Sequence, residues 1–184
     1  MPTELFSLDA AKRKVTRLTG FNDDVVAEYD IRPAEEVYIE GANGKKIHTF
    51  IVKPHGFKPG KRYPFILNVH GGPQGMWSDA LRGDWQVYTA AGYVLAFANP
   101  HGSTGYGQEF TRAISGDYGG KIFEDLMKVV DHMEAEPYVD AKRMGAMGWS
   151  FGGYMMNWFL GHTDRFQAIA SMMALGGPVD GDDK

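Results

Sequence analysis

Three short runs, FILNV (65–69), YVLAFA (93–98) and the glycine-rich MGAMGW (144–149), each lead into a cluster of glycines. A strand that is apolar at nearly every position has no face to offer water, so such runs fit strands covered on both sides, as in a parallel sheet. Parallel neighbours need long crossovers, and the intervening segments supply helices. Residues 119–135 place Ile122, Phe123, Leu126, Met127, Val130 and Met133 at helical spacing, with Lys121, Glu124, Asp125, Lys128 and Asp131 on the other face. Residues 151–161 read as a helix packed under a strand, and 168–174 as one more strand. The order is a β-hairpin followed by β-α-β-α-β-α-β. It predicts a doubly wound α/β sheet with helices on both faces, in which strands 65–69, 94–98 and 144–149 are neighbours.

Two hairpins precede this pattern. ELFSLD (4–9) and KVTRLT (14–19) alternate around the polar turn AAKR, and a lone hairpin of this kind needs something to lean on. Residues 20–34 are polar and read as an irregular linker closed by Pro33. VYIEG and KIHTFIVKP then flank Ala42-Asn43-Gly44, a strong hairpin signal. The expected division is a hairpin and linker over 1–30, an α/β domain over 31–175 and a tail over 176–184.

Composition excludes several functions. With 19 basic and 23 acidic residues the net charge is −4, which argues against a nucleic-acid partner. Cysteine is absent, so there is no disulfide framework, thiolate nucleophile or cysteine-ligated metal. His48, His55 and His132 lie scattered without metal-ligand spacing, and no metal or other cofactor is expected. The longest run of apolar residues and glycine, Ala90 to Ala98, has nine members, against about 18 or more for a membrane helix. MPTELFSLDA lacks a signal-peptide layout. The expectation is a cytoplasmic chain with no membrane partner.

Glycine, 24 of 184 residues, is enriched to about 13% against a usual ~7%. It gathers at His70–Gly75, His101–Gly107, Gly116–Gly120 and Gly145–Gly153. Clustered glycine beside strands marks tight turns and close backbone approach, so function is sought there. Gly148-Trp149-Ser150-Phe151-Gly152 lies between a predicted strand and a predicted helix. A serine hydroxyl is a poor nucleophile unless held clear of the sheet and given a base. A sharp strand-to-helix turn at Ser150 achieves the first and offers the Phe151 N–H to a developing oxyanion. His70-Gly71-Gly72-Pro73 closes another strand, where a loop N–H supplies the second half of an oxyanion hole. His70 precedes the serine, against the order Ser, acid, His, and is read as holding its loop. The 102–107 glycines lack a following Lys-Ser/Thr, so nucleotide binding is rejected. Met155 and Met156 are expected in the core. Trp77, Trp85 and Trp149 fit either the core or a substrate pocket.

HGGP (70–73), NPHGSTGYGQEF (99–110), GDYGGKIFEDL (116–126) and GWSFGGYMMNWFLGHTDRFQA (148–168) resemble the prolyl oligopeptidase family of serine peptidases, specifically its acylaminoacyl-peptidase and dipeptidyl-aminopeptidase-like branch. The resemblance runs from about residue 36 to 168. It implies an α/β-hydrolase fold, Ser150 as nucleophile, and Gly72 (or Gly71) and Phe151 as oxyanion-hole donors. It also implies cleavage of short peptides, acyl-peptides or their ester analogues without a cofactor. The hairpin at 4–19 resembles the last hairpin of the propeller that precedes the hydrolase domain in that family.

The chain departs from the family at several points. His101 stands where Arg is usual, which leaves open whether an ion pair or backbone clamp forms there. Tyr118 replaces a usual Trp, and Phe151 a usual Tyr. The family's acid and histidine fall well downstream of the serine. The one histidine after Ser150, His162, is about 18 Å along the predicted helix and is ruled out as the base. The hydrolase domain is therefore expected to be incomplete at its C-terminal side. An apolar strand edge near 168–174 is expected to invite self-association or the missing part of the domain. A carboxylesterase on the same fold, or a fragment acting only as an assembly or binding module, remain alternatives.

Overall fold

The computed structural model describes residues 2–174; the tail expected over 176–184 lies outside them. Two sheets form. β1 (Phe6–Asp9) and β2 (Lys14–Arg17) pair antiparallel as a two-stranded sheet of their own. Every residue of both strands is exposed, so the hairpin leans on nothing through its apolar side chains. It is tied at its base instead. The Glu4 carboxylate accepts hydrogen bonds from the Thr19 hydroxyl and from the backbone N–H groups of Phe21 (3.1 Å) and Asn22 (2.9 Å).

The expected irregular linker at 20–34 contains a short helix, α1 (Asp23–Glu28). Asp23 and Asp24 occupy its first turn, where the helix dipole favours acidic side chains. With no buried residue, it leaves no apolar stripe for a sequence reading to find.

The second sheet has six strands in the order β3-β4-β6-β5-β7-β8. β3 (Glu35–Glu40) and β4 (Lys46–Val52) form the second hairpin around a 3-10 turn at Ala42–Gly44. β4 runs antiparallel to β6 (Val94–Asn99). β6 and β7 (Val139–Trp149) each pair parallel with β5 (Tyr63–Val69), and β8 (Ala168–Met172) pairs parallel with β7. The three apolar runs are adjacent and parallel, as their two-sided burial requires.

Helices cover both faces. α4 (Lys121–Ala135) and α5 (Phe151–His162) pack one side through Leu126, Val130, Met133, Met155, Met156 and Phe159, all buried. α2 (Gly83–Ala90) packs the other, where Trp85 stacks on Phe97 at 3.6 Å between ring centroids. Trp85 therefore belongs to the core, and Trp77, partly buried, packs against it. On the α2 side a groove of about 520 Å³ runs along β7 and β8, lined by Ile66, Tyr88, Tyr93, Met147, Ala168 and Ala170. Among the described residues β8 pairs with β7 alone.

One residue of α4 is not where its polarity places it. Asp125, assigned to the polar face, is fully buried. Its Oδ2 accepts the backbone N–H and the Nδ1–H of His101, both at 2.7 Å, and its Oδ1 accepts the Ala42 N–H at 2.8 Å. Burial raises its pKa above the usual carboxylate value, and those same hydrogen bonds oppose the rise without cancelling it. His101 thus forms the clamp that the sequence left open, joining the β3–β4 turn to the loop after β6.

Candidate active site

β5 and β7 are parallel neighbours, so their C-terminal ends emerge side by side, with Val69 opposite Gly148. The loops that follow carry His70–Gly75 and Ser150. At Ser150 the backbone takes φ 57° and ψ −115° before α5 begins. That conformation is costly for a residue with a side chain. Two contacts hold it: the Ser150 N–H donates to the Met172 carbonyl at the end of β8 (3.0 Å), and the Ser150 carbonyl accepts the Tyr154 N–H (3.0 Å). Ser171 Oγ donates to the Gly153 carbonyl at 3.0 Å and fixes β8 to the same helix.

The two glycine-rich loops touch. A Cβ on Gly71 would lie 2.7 Å from the Trp149 carbonyl oxygen and 3.1 Å from Ser150 Cβ. A Cβ on Gly152 would lie 2.2 Å from the Val69 carbonyl oxygen. Any side chain at either position would push the loops apart. Gly72 has φ 133°, and its N–H has no acceptor among the described residues. Phe151 opens α5, so its N–H has no intrahelical partner.

His70 is buried beside this junction. Its Nδ1 lies 2.9 Å from the Gly71 carbonyl, which only accepts, so Nδ1 carries the proton. Nε2 then accepts from the Ser103 hydroxyl at 3.0 Å. Burial holds its pKa below the usual histidine value, consistent with the neutral ring. Both nitrogens are engaged away from Ser150, and the ring fastens the Gly71–Gly72 loop to the loop after β6. His162, at the far end of α5, donates Nδ1–H to the Trp158 carbonyl (2.8 Å). Among the described residues no histidine hydrogen-bonds the Ser150 hydroxyl.

Aromatic residues flank the elbow. Tyr118 meets the Phe151 ring edge-on at 5.5 Å between centroids. Trp149, next to the serine, is 58% exposed and so is not a core residue. Sequence reasoning missed Ser103 and Asp125 as the fastenings of these loops. A serine or aspartate is ordinary in a polar loop or on a polar helix face, and only its partner's position marks it.

Comparison with known proteins gives this arrangement a family. Residues 80–175, just over half of the chain, match the profile of the prolyl oligopeptidase family. An uncharacterized peptidase, YuxL, of Bacillus subtilis is 39% identical over 175 residues, covering 95% of this chain and 26% of that protein. This chain belongs to the prolyl oligopeptidase family. Dipeptidyl-peptidase 5 of Schizosaccharomyces pombe is 44% identical over 140 residues, covering 73% of the chain and 20% of that protein. The solved structure of an acylaminoacyl peptidase in complex with Z-Gly-Gly-Phe-chloromethyl ketone matches with a TM-score of 0.83 at 29% identity. It covers 94% of this chain and 27% of that one. Pyrococcus horikoshii acylaminoacyl peptidase gives 0.84 at 28% identity, over 95% and 28%. The shared architecture is the α/β-hydrolase fold with a mixed, mostly parallel sheet. The chain spans about a quarter of the length of these relatives.

Proposed function

We propose that this chain is the nucleophile-bearing part of a serine hydrolase that cleaves short peptides or acyl-peptides. In this reading the Ser150 hydroxyl attacks the carbonyl, and the N–H groups of Gly72 and Phe151 receive the oxyanion. The observation that supports it best is the left-handed, strained backbone at Ser150, with the Gly71 backbone against the serine Cβ. A serine held this way at a helix start, beside a loop whose Gly72 N–H no described residue accepts, suits the nucleophile and oxyanion positions of acyl transfer. The base and its acid belong, in this proposal, to residues outside these 184. A serine without its base loses about 10⁴- to 10⁶-fold in rate. The edge of β8 that no described residue pairs, and the groove beside it, favour a partner here, either the remainder of a longer domain or a second copy of the chain. The β1–β2 hairpin is read as the end of a propeller.

The test is covalent labelling with a fluorophosphonate. Label is expected on Ser150, slowly, and faster when imidazole is added to take the proton. Labelling that ignores imidazole, or that persists in Ser150→Ala, overturns the assignment. A matched panel of acyl-peptide anilides and simple esters separates peptidase from carboxylesterase.

A further inference from the structure

Between the Gly72 loop and Tyr118 lies a cavity of about 370 Å³. Gly72, Gln74, Thr111, Arg112, Ser115 and Tyr118 contribute to its walls. Of the described residues that line it, Arg112 alone carries a formal charge. Among the described residues the Arg112 guanidinium has no carboxylate partner, whereas Lys121 nearby is committed to Asp117 at 2.8 Å.

The walls are fixed to one another. Arg112 ends α3 (Gln108–Arg112), and Phe110 and Ile114 on either side of it are buried. Thr111 Oγ1 donates to the Ser103 carbonyl at 3.0 Å, and the Ser103 hydroxyl donates to His70, which holds the Gly71 carbonyl. The segment carrying Arg112 is thereby tied to the loop carrying Gly72. Tyr118, on the far wall, packs against Phe151. The cavity therefore borders Gly72, one of the two residues assigned to the oxyanion, and its far wall rests on the ring of the other, Phe151.

A guanidinium offers paired N–H donors in a plane, and, with no ion pair to a carboxylate among the described residues, the group it suits is a carboxylate. The hydroxyls and amide of Thr111, Ser115 and Gln74 add neutral hydrogen-bonding capacity around it. We propose that Arg112 is a specificity-determining residue that binds a carboxylate of the peptide substrate in this cavity. The inference rests on the hydrolase reading above and narrows its substrate. The carboxylate belongs either to the free C-terminus of a short peptide or to an Asp or Glu side chain.

Calorimetric titration of the chain with five acetylated tripeptides tests this. They are acetyl-Ala-Ala-Ala as the free acid, its C-terminal amide, and that amide with Glu replacing each Ala in turn. At least one carboxylate-bearing form is expected to bind about tenfold more tightly than the neutral amide. Preference for the free acid identifies the terminal carboxylate; preference for a Glu amide identifies the side chain. Arg112→Gln is expected to abolish the preference and leave the neutral amide's Kd unchanged, and Arg112→Lys to keep part of it. Equal affinity for all forms, including no measurable binding of any, overturns the inference. So does a preference that survives in Arg112→Gln. Carboxylate preference without Ser150 labelling would remove the hydrolase reading and leave the subsite. Labelling without preference would remove the subsite alone.

Discussion

The chain contains two β-hairpins with similar alternating sequences in opposite surroundings. Among the described residues β1–β2 pairs only with itself, and its turn is held locally, where Asp9 Oδ1 accepts the N–H groups of Ala11 (3.1 Å) and Lys12 (3.0 Å). β3–β4 is joined to the six-stranded sheet along β6, burying the last four residues of β4. Its turn is held from a distance, by Asp125 on α4. Alternation says that one face of a hairpin wants cover, not what provides it. For β4 the cover is decided by β6, an entirely buried strand whose edge needs a hydrogen-bonding partner. Among the described residues nothing comparable lies beside β1.

The largest effect that should separate the hairpins is a cavity in the second. Phe50 on β4 is buried and stacks on Phe97 at 5.4 Å between centroids. Phe50→Ala is expected to cost about 3–5 kcal/mol in urea unfolding. A loss under about 1 kcal/mol would mean that β4 is no better embedded than β1. Next comes the distant clasp. Asp125→Ala strands the buried N–H groups of His101 and Ala42, an expected loss of about 2–3 kcal/mol by the same measurement. A neutral result would show that water replaces the carboxylate and that the turn holds itself, as the first hairpin's does.

The smallest effect belongs to the first hairpin and depends on pH. Glu4 is pulled from 4.5 down to about 2, chiefly by the Thr19 hydroxyl, with help from Asn22 and the Phe21 N–H. A carboxylate whose pKa is lowered by folding stabilises fully above its unfolded value and loses that contribution as pH falls through the folded one. The tie at the hairpin's base is therefore intact above about pH 4.5 and fades as the pH approaches 2. The amide resonances of Phe21 and Asn22 should titrate near 2 and lose that titration in Glu4→Gln. Titration near 4.5 would leave the hairpin without its anchor.

Much of the sheet was legible because its strands are extreme. FILNV and YVLAFA tolerate no exposed face, and α4 carries an unbroken apolar stripe. The shorter elements were not. α1 buries nothing, and α3 has five residues in a glycine-rich loop, too few for a helical period to register. β7 starts at Val139 rather than 144 because its exposed first half, Ala141 to Arg143, looks like a loop. The serine's turn was readable because the backbone itself demands glycine around it. The clamp at Asp125 was not, since its partners His101 and Ala42 are remote in sequence and pair with it only through the fold.

The hydrogen bond from the Ser150 N–H to the Met172 carbonyl also sets an order of events. A chain made from its N-terminus exposes the serine before the strand that holds its turn exists, and domains settle as they are synthesised. Until β8 has docked, that stretch is free to relax to an ordinary conformation with its hydroxyl unpresented. The turn at Ser150 is thus completed only when the following strand docks, and a chain that lacks β8 has nothing from that strand to hold it.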